Sequence, residues 1–319
     1  MTTAPQGTAA RRLDSSPQRE DKGNLYGIVV MQITMLFFVT TDTLSKLVSD
    51  ELATGQLIFV RGMFAVVAIL VILIWRGELR HYRHAFNKIV LLRAVCETVA
   101  AILFLTALKH LPLANTAAIL LTIPLATTAA AALFLGEQVG IRRWTAVFVG
   151  FLGVMAIVRP GLDGFNSYSL FALAAVVGAS TRDLVTRRIP SGTSLWVVTL
   201  TTLFISAIGG GLLGVTETWQ PVSNQNLIIL FAAAFFLTMG QFAVVIAMNS
   251  GEISVVSSFR YISMPIALTY GYLLWGDIPD TLTWVGICLI LSAGIYTIFR
   301  ERKVSRLRKQ AQQDASISK

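Results

Sequence analysis

Residues 107–144 read ALKHLPLANTAAILLTIPLATTAAAALFLGEQVGIRRW, and residues 247–284 read AMNSGEISVVSSFRYISMPIALTYGYLLWGDIPDTLTW. The two stretches align at an offset of 140, placing Ala107 on Ala247, Gly136 on Gly276, Glu137 on Asp277 and Trp144 on Trp284. Pro124 and Pro265 fall one residue off that register. Nearer the N-terminus, Asp42-x3-Lys46 repeats as Asp183-x3-Arg187 at an offset of 141. The chain is a duplication, and the duplicated unit is a set of long apolar segments.

Ten such segments follow from Tyr26: 26–48, 56–75, 88–108, 113–135, 144–158, 168–187, 194–215, 226–248, 252–274 and 281–299. Most hold the roughly 20 residues a helix needs to cross a hydrocarbon core at about 1.5 Å per residue. None alternates with period two, as a membrane β-strand does. Of the 319 residues, 55% are hydrophobic and 13% charged, about half the charge of a soluble domain. Mean hydropathy is +0.68. The predicted fold is an all-α membrane protein of ten transmembrane helices. Secreted disulfide scaffolds, disordered chains and nucleic-acid-binding domains are excluded. Cys96 and Cys288 both lie in apolar runs and form no CxxC pair, so neither a disulfide framework nor a zinc site is expected.

Charge sets the expected orientation. With the N-terminus inside, 19 of the 26 Lys and Arg residues fall on inside segments, five within spans, and only Lys109 and Arg159 outside. This positive-inside bias predicts cytoplasmic termini. It also explains the net charge of +9 without nucleic acid. Residues 1–24 are polar, lack the apolar core of a signal peptide and read as a mobile cytoplasmic tail. The basic tail 300–319 is suited to touch anionic lipid headgroups.

Each half, 25–160 and 161–299, carries five spans. An odd number inverts the second copy relative to the first. The loop after the fourth span carries Arg142 and Arg143, whereas its mate after the ninth carries Asp277 and Asp280. Two inverted five-helix repeats are a transporter architecture, in which the halves rock about a site near the midplane.

The stretches 104–121 and 135–144, followed by Gly150 and Gly153, and the counterpart 259–286 resemble the drug/metabolite transporter superfamily, in its EamA-type ten-span bacterial form. The Gly136-Glu137 pair and its Gly276-Asp277 echo are typical of that family. The resemblance spans about 26–299. It implies a secondary or facilitative carrier in a bacterial inner membrane, with cytoplasmic termini and no ATP site. Family members move amino acids, riboflavin, S-adenosylmethionine, metallophores and drugs. Riboflavin or a similar heterocycle is the cargo leaned toward, with an amino-acid or drug exporter as the alternative. The expected partners are a small solute, protons, membrane lipid and a second copy in a homodimer. No cofactor is expected.

Ionisable residues inside spans are costly, roughly 2.5–3.5 kcal/mol each at the membrane centre. Here they are Asp42, Lys46, Arg61, Arg93, Glu97, Arg182, Asp183 and Arg260. Counting about 1.5 Å per residue, Asp42 and Arg61 share a height toward the outer side, and Arg93 and Asp183 share one toward the inner side. Each pair reads either as a structural lock or gate, or as a coupling site. Lys46 is placed to snorkel outward. Glu97 and Arg260 both fall near the midplane, on opposite halves. They read either as a solute or proton site or as a buried salt bridge. Gln241 and Asn249 are candidate hydrogen-bonding groups, and Trp196 and Tyr261 candidate stacking surfaces. Pro124 and Pro265 would kink matching spans. Gly209–Gly211 and Gly214 would allow close helix packing.

Enzyme chemistry finds no support. All three histidines, His81, His84 and His110, fall in predicted loops. Gly178-Ala179-Ser180 therefore has no histidine partner in a span. His81-x2-His84 is too sparse for a metal site, and no GxxxxGK[ST] is present.

Overall fold

The computed structural model describes residues 17–135, 140–160, 165–186, 188–190, 192–250, 257–297 and 299. Gly136, Glu137, Arg187, the stretch 1–16 and the tail 300–319 lie outside the described residues, as does the side chain of Asn249. The helices are α1 (Pro17–Ser49), α2 (Thr54–Arg76), α3 (Lys88–His110), α4 (Leu113–Leu120), α5 (Ile123–Leu135) and α6 (Ile141–Val158). They continue as α7 (Tyr168–Thr186), α8 (Leu195–Gly214), α9 (Asn224–Ser250), α10 (Ser263–Trp275) and α11 (Thr281–Thr297). Short 3-10 turns cover Glu78–Phe86 and Ser257–Ile262. Among the described residues there is no strand.

Eight segments are long and apolar enough to span a membrane, α4 and α5 counting as one, and α11 is a shorter apolar helix. With α10 and its 3-10 turn they account for ten spans. α1 reaches back to Pro17, eight residues into the polar stretch read as a tail. Proline suits a first helical turn, where its missing N–H has no partner to lose.

The bundle is held across the duplication. α1 packs on α9, α2 on α8 and α9, and α3 on α7 and α8. Every one of these contacts joins a first-half helix to a second-half helix. Small residues bring them close. A methyl group on Gly210 would sit 2.7 Å from Ile58 Cγ2 and 2.8 Å from the Phe59 nitrogen. α6 and α11 meet at Gly153 and Gly286: a Cβ on either would lie 2.7 or 2.6 Å from the other's carbonyl oxygen.

The fourth span is broken rather than merely kinked. α4 ends at Leu120, and α5 resumes at Ile123. Pro124 cannot donate to Leu120, and its ring excludes that carbonyl. Thr122 instead makes a tight turn onto Ile119 at 3.1 Å. Its counterpart follows the same plan, with the turn ending at Ile262 and α10 beginning two residues before Pro265. There the proline falls in a first turn, where no helical hydrogen bond is lost.

Candidate functional site

A cavity of about 90 Å³ lies between the halves, walled by α2, α3, α8 and α9 and presenting both charged and apolar side chains. The first half supplies Arg61, Arg93 and Glu97. The second supplies Thr199, Thr202, Ser206 and Gln241. Ile58, Gly62, Ala101, Leu203 and Leu237 complete the wall. Helical Cβ spacing explains the polar stripe on α8: residues 199, 202, 203 and 206 share one face. Glu97, Ala101 and Arg93 share one face of α3 for the same reason.

The charges around this cavity pair differently from the expectation drawn from depth alone. We call the side from which α1 starts the inner side. Arg182 on α7 donates through Nη1 to Glu97 Oε2 at 2.5 Å and through Nη2 to Asp183 Oδ1 at 2.8 Å. Glu97 is therefore held by Arg182, not by Arg260. Arg93 does not bond Asp183. Its Nε donates to Thr186 Oγ1 at 3.1 Å and its Nη1 to Thr202 Oγ1 at 2.6 Å. Arg260 stands within the field of Asp183 and Arg182, with its buried Nε lacking a partner among the described residues. It is not among the residues that wall the cavity.

The outer pair also departs from expectation. Asp42 and Arg61 feel each other's charge, but Arg61 Nη1 donates to Ser45 Oγ at 2.8 Å instead of to the carboxylate. Ser45 follows Asp42 by nearly one turn of α1, so the hydroxyl meets the guanidinium first. Lys46 is held at the outer end of α3 rather than left free in the headgroup region. It donates to the carbonyls of Leu108, at 2.8 Å, and Leu111, and lies 5.5 Å from the Trp275 ring centroid. Unpaired carbonyls at the end of α3 attract that cation.

The aromatic candidates lie elsewhere. Trp196 sits beneath Arg76, 5.2 Å from ring centre to guanidinium, and beside Phe242. The Tyr261 hydroxyl fills the space over Gly294, where a Cβ would come within 1.7 Å of it. Neither walls the cavity. Of the residues expected to bind solute, Glu97 and Gln241 reach it. Of those expected to couple or gate, Arg61 and Arg93 reach it, and Asp42 and Asp183 are not part of its wall. Thr202, Ser206 and the role of Arg182 escaped sequence reasoning. A hydroxyl in an apolar helix has no mark distinguishing it from inter-helix glue.

On the outer side, Arg159 at the end of α6 bonds the carboxylate of Asp280, just before α11. Arg159 and its neighbour Thr283 hold the Asp280 carboxyl well below its ordinary value, at about 2. Among the described residues no group of three or more His, Cys, Asp or Glu could hold a metal ion.

A profile of the EamA-like transporter family matches residues 25–159 and again 166–300. The chain is 28% identical over 292 residues to a riboflavin transporter of Vibrio cholerae, covering 90% of this chain and 98% of that protein. It is 22% identical over 294 residues to an S-adenosylmethionine uptake transporter of Rickettsia felis, covering 91% and 98%. A pseudopaline exporter of Pseudomonas aeruginosa is 24% identical over 272 residues, covering 84% and 94%. One crystal structure superposes with a TM-score of 0.61 at 15% identity, over 88% of this chain and 99% of that one. That likeness concerns the fold.

Proposed function

We propose, for a chain that belongs to the EamA-like transporter family, that the cavity between α2, α3, α8 and α9 is where a small organic metabolite crosses the membrane. The observation that carries this reading is that both halves line one space among the membrane-spanning helices that presents Arg61, Arg93, Glu97 and Gln241 together. At about 90 Å³ it has room for about three waters at ~30 Å³ each. Drug-sized ligands fill roughly 300–1,000 Å³. The described conformation is thus contracted, and solute enters when the halves separate. Glu97, Gln241 and the hydroxyls of Thr202 and Ser206 are the groups that would meet it.

Riboflavin or a similar heterocycle is the first cargo to test, because a relative at 28% identity bears that name. A solute with an amino-acid moiety is the second reading, favoured by an acid and two bases on one wall. We place the protein in a bacterial inner membrane with both termini cytoplasmic, the arrangement supported by the charge bias. Among the span acids Asp42, Glu97 and Asp183, one carries the coupling proton if transport is proton-driven. Its amide variant would then exchange solute without concentrating it.

The test is counterflow into proteoliposomes with labelled riboflavin, S-adenosylmethionine and a panel of amino acids. Saturable exchange of at least one is expected. Absence of exchange for all of them would contradict the reading.

A further inference from the structure

The span charges do not balance. Arg61, Arg93, Arg182, Arg260 and Lys46 face only Asp42, Glu97 and Asp183. Uncompensated charge in a low-dielectric interior is costly, so the location of the surplus is informative.

Three of the five cations are accounted for. Arg182 is spent on Glu97 and Asp183. Lys46 is spent on two helix-end carbonyls. Arg260 shares the field of Asp183 away from the cavity. Arg61 and Arg93 both wall the cavity; Asp42 acts on Arg61, and Glu97 and Asp183 act on Arg93, only through the field, with no carboxylate bonded to either guanidinium among the described residues. Arg93 is bonded only to threonine hydroxyls, which leave its charge intact. Arg61 is only 9% exposed, is bonded to one serine, and has a buried Nε with no partner among the described residues. Glu97, the one carboxylate on the wall, is already held by Arg182. The cavity wall therefore presents two guanidinium groups that form no salt bridge among the described residues, one of them with a buried Nε that lacks a partner there.

We propose that Arg61 and Arg93 form an anion-binding subsite, and that the transported solute carries a carboxylate or phosphate group that docks between them. This rests on the carrier reading above and narrows it to a cargo class. A planar fork of donors suits either group, because each offers two oxygens to one guanidinium. Ser206 and Gln241 would hold the neutral remainder of the solute.

The experiment compares matched pairs by equilibrium binding to the purified protein in nanodiscs. The pairs are riboflavin 5′-phosphate against riboflavin, and S-adenosylmethionine against its methyl ester. The anionic member of at least one pair should bind about tenfold or more tightly than its partner, as a charge-assisted hydrogen bond implies. Arg61→Gln and Arg93→Gln should each reduce that preference, the double variant should abolish it, and Arg61→Lys should retain part of it. Equal binding within both pairs, a preference that survives the double variant, or no binding by any of the four would overturn the proposal. If the variants do not purify as monodisperse species, the comparison within the wild-type protein decides alone. Counterflow separates the two readings. Flux without an anionic preference overturns the subsite and keeps the carrier. An anionic preference in binding without flux does the reverse.

Discussion

Arg182 Nη1 reaches Glu97 Oε2 at 2.5 Å across the seam between α7 and α3. The same carboxylate forms part of the cavity wall. One residue thus belongs both to the space between the halves and to a bond that ties them together. Whatever takes Glu97 from Arg182 removes an ion pair between α7 and α3.

The pairing makes a sharp prediction for mutant cycles. Arg182→Gln should destabilise the protein by about 3 kcal/mol, because it strands the Glu97 carboxylate, and Glu97→Gln by less, because Arg182 keeps its bond to Asp183. Their double variant should recover at least about 1 kcal/mol as coupling energy. A parallel cycle between Glu97 and Arg260 should be additive within about 0.5 kcal/mol. Thermal unfolding in detergent reads both cycles.

The close approach of α6 and α11 predicts a steric effect. Gly153→Ala or Gly286→Ala brings a methyl within 2.7 or 2.6 Å of the facing carbonyl oxygen. Overpacking of this kind costs about 1–3 kcal/mol. Gly140→Ala, with nothing within 4 Å of its Cβ position among the described residues, should lower the melting temperature far less.

The Arg159–Asp280 bond predicts a weak pH dependence. The folded-state value of Asp280, about 2, lies below the ordinary 3.8. Its contribution is therefore fully present above about pH 4 and is lost as pH falls toward about 2. The Asp280 side chain is 54% exposed, so screening holds the bond to about 1 kcal/mol at most. Asp280→Asn should be slightly less stable than wild type at pH 7, with the gap closing at the acid end of a thermal-unfolding series.

Orientation is open to direct measurement. Reporter fusions at Gln56, Asn166 and Asp280 should report the outer side, and fusions at Arg83 and Arg188 the inner side. Reversal at more than one of these would break the ten-span arrangement.

The helices and their duplication were legible because both leave periodic marks. Ala107 and Ala247 lie at one offset, and apolar runs of membrane length survive any detail of packing. The pairing of charges was not legible, because counting at ~1.5 Å per residue gives height along a helix and nothing about the face. By height Glu97 matches Arg260, but α3 packs on α7, and the long Arg182 side chain bridges the difference in depth. Lys46 likewise looked free to snorkel until the end of α3 was placed beside it. Pro124 marked its break correctly in position but not in kind, since the chain relieves the clash with a full turn at Thr122.

The central claim is that solute passes through the cavity between α2, α3, α8 and α9. Ser206 walls that cavity, so a Ser206→Cys variant with Cys96 and Cys288 replaced by alanine puts one thiol on the path. Proteoliposome counterflow of a transported solute should stop once that thiol carries a bulky maleimide, and solute should slow the labelling. The same modification of Tyr82→Cys, on the exposed 3-10 turn, should leave flux unchanged. Full labelling at position 206 with flux at the unlabelled rate would contradict the account.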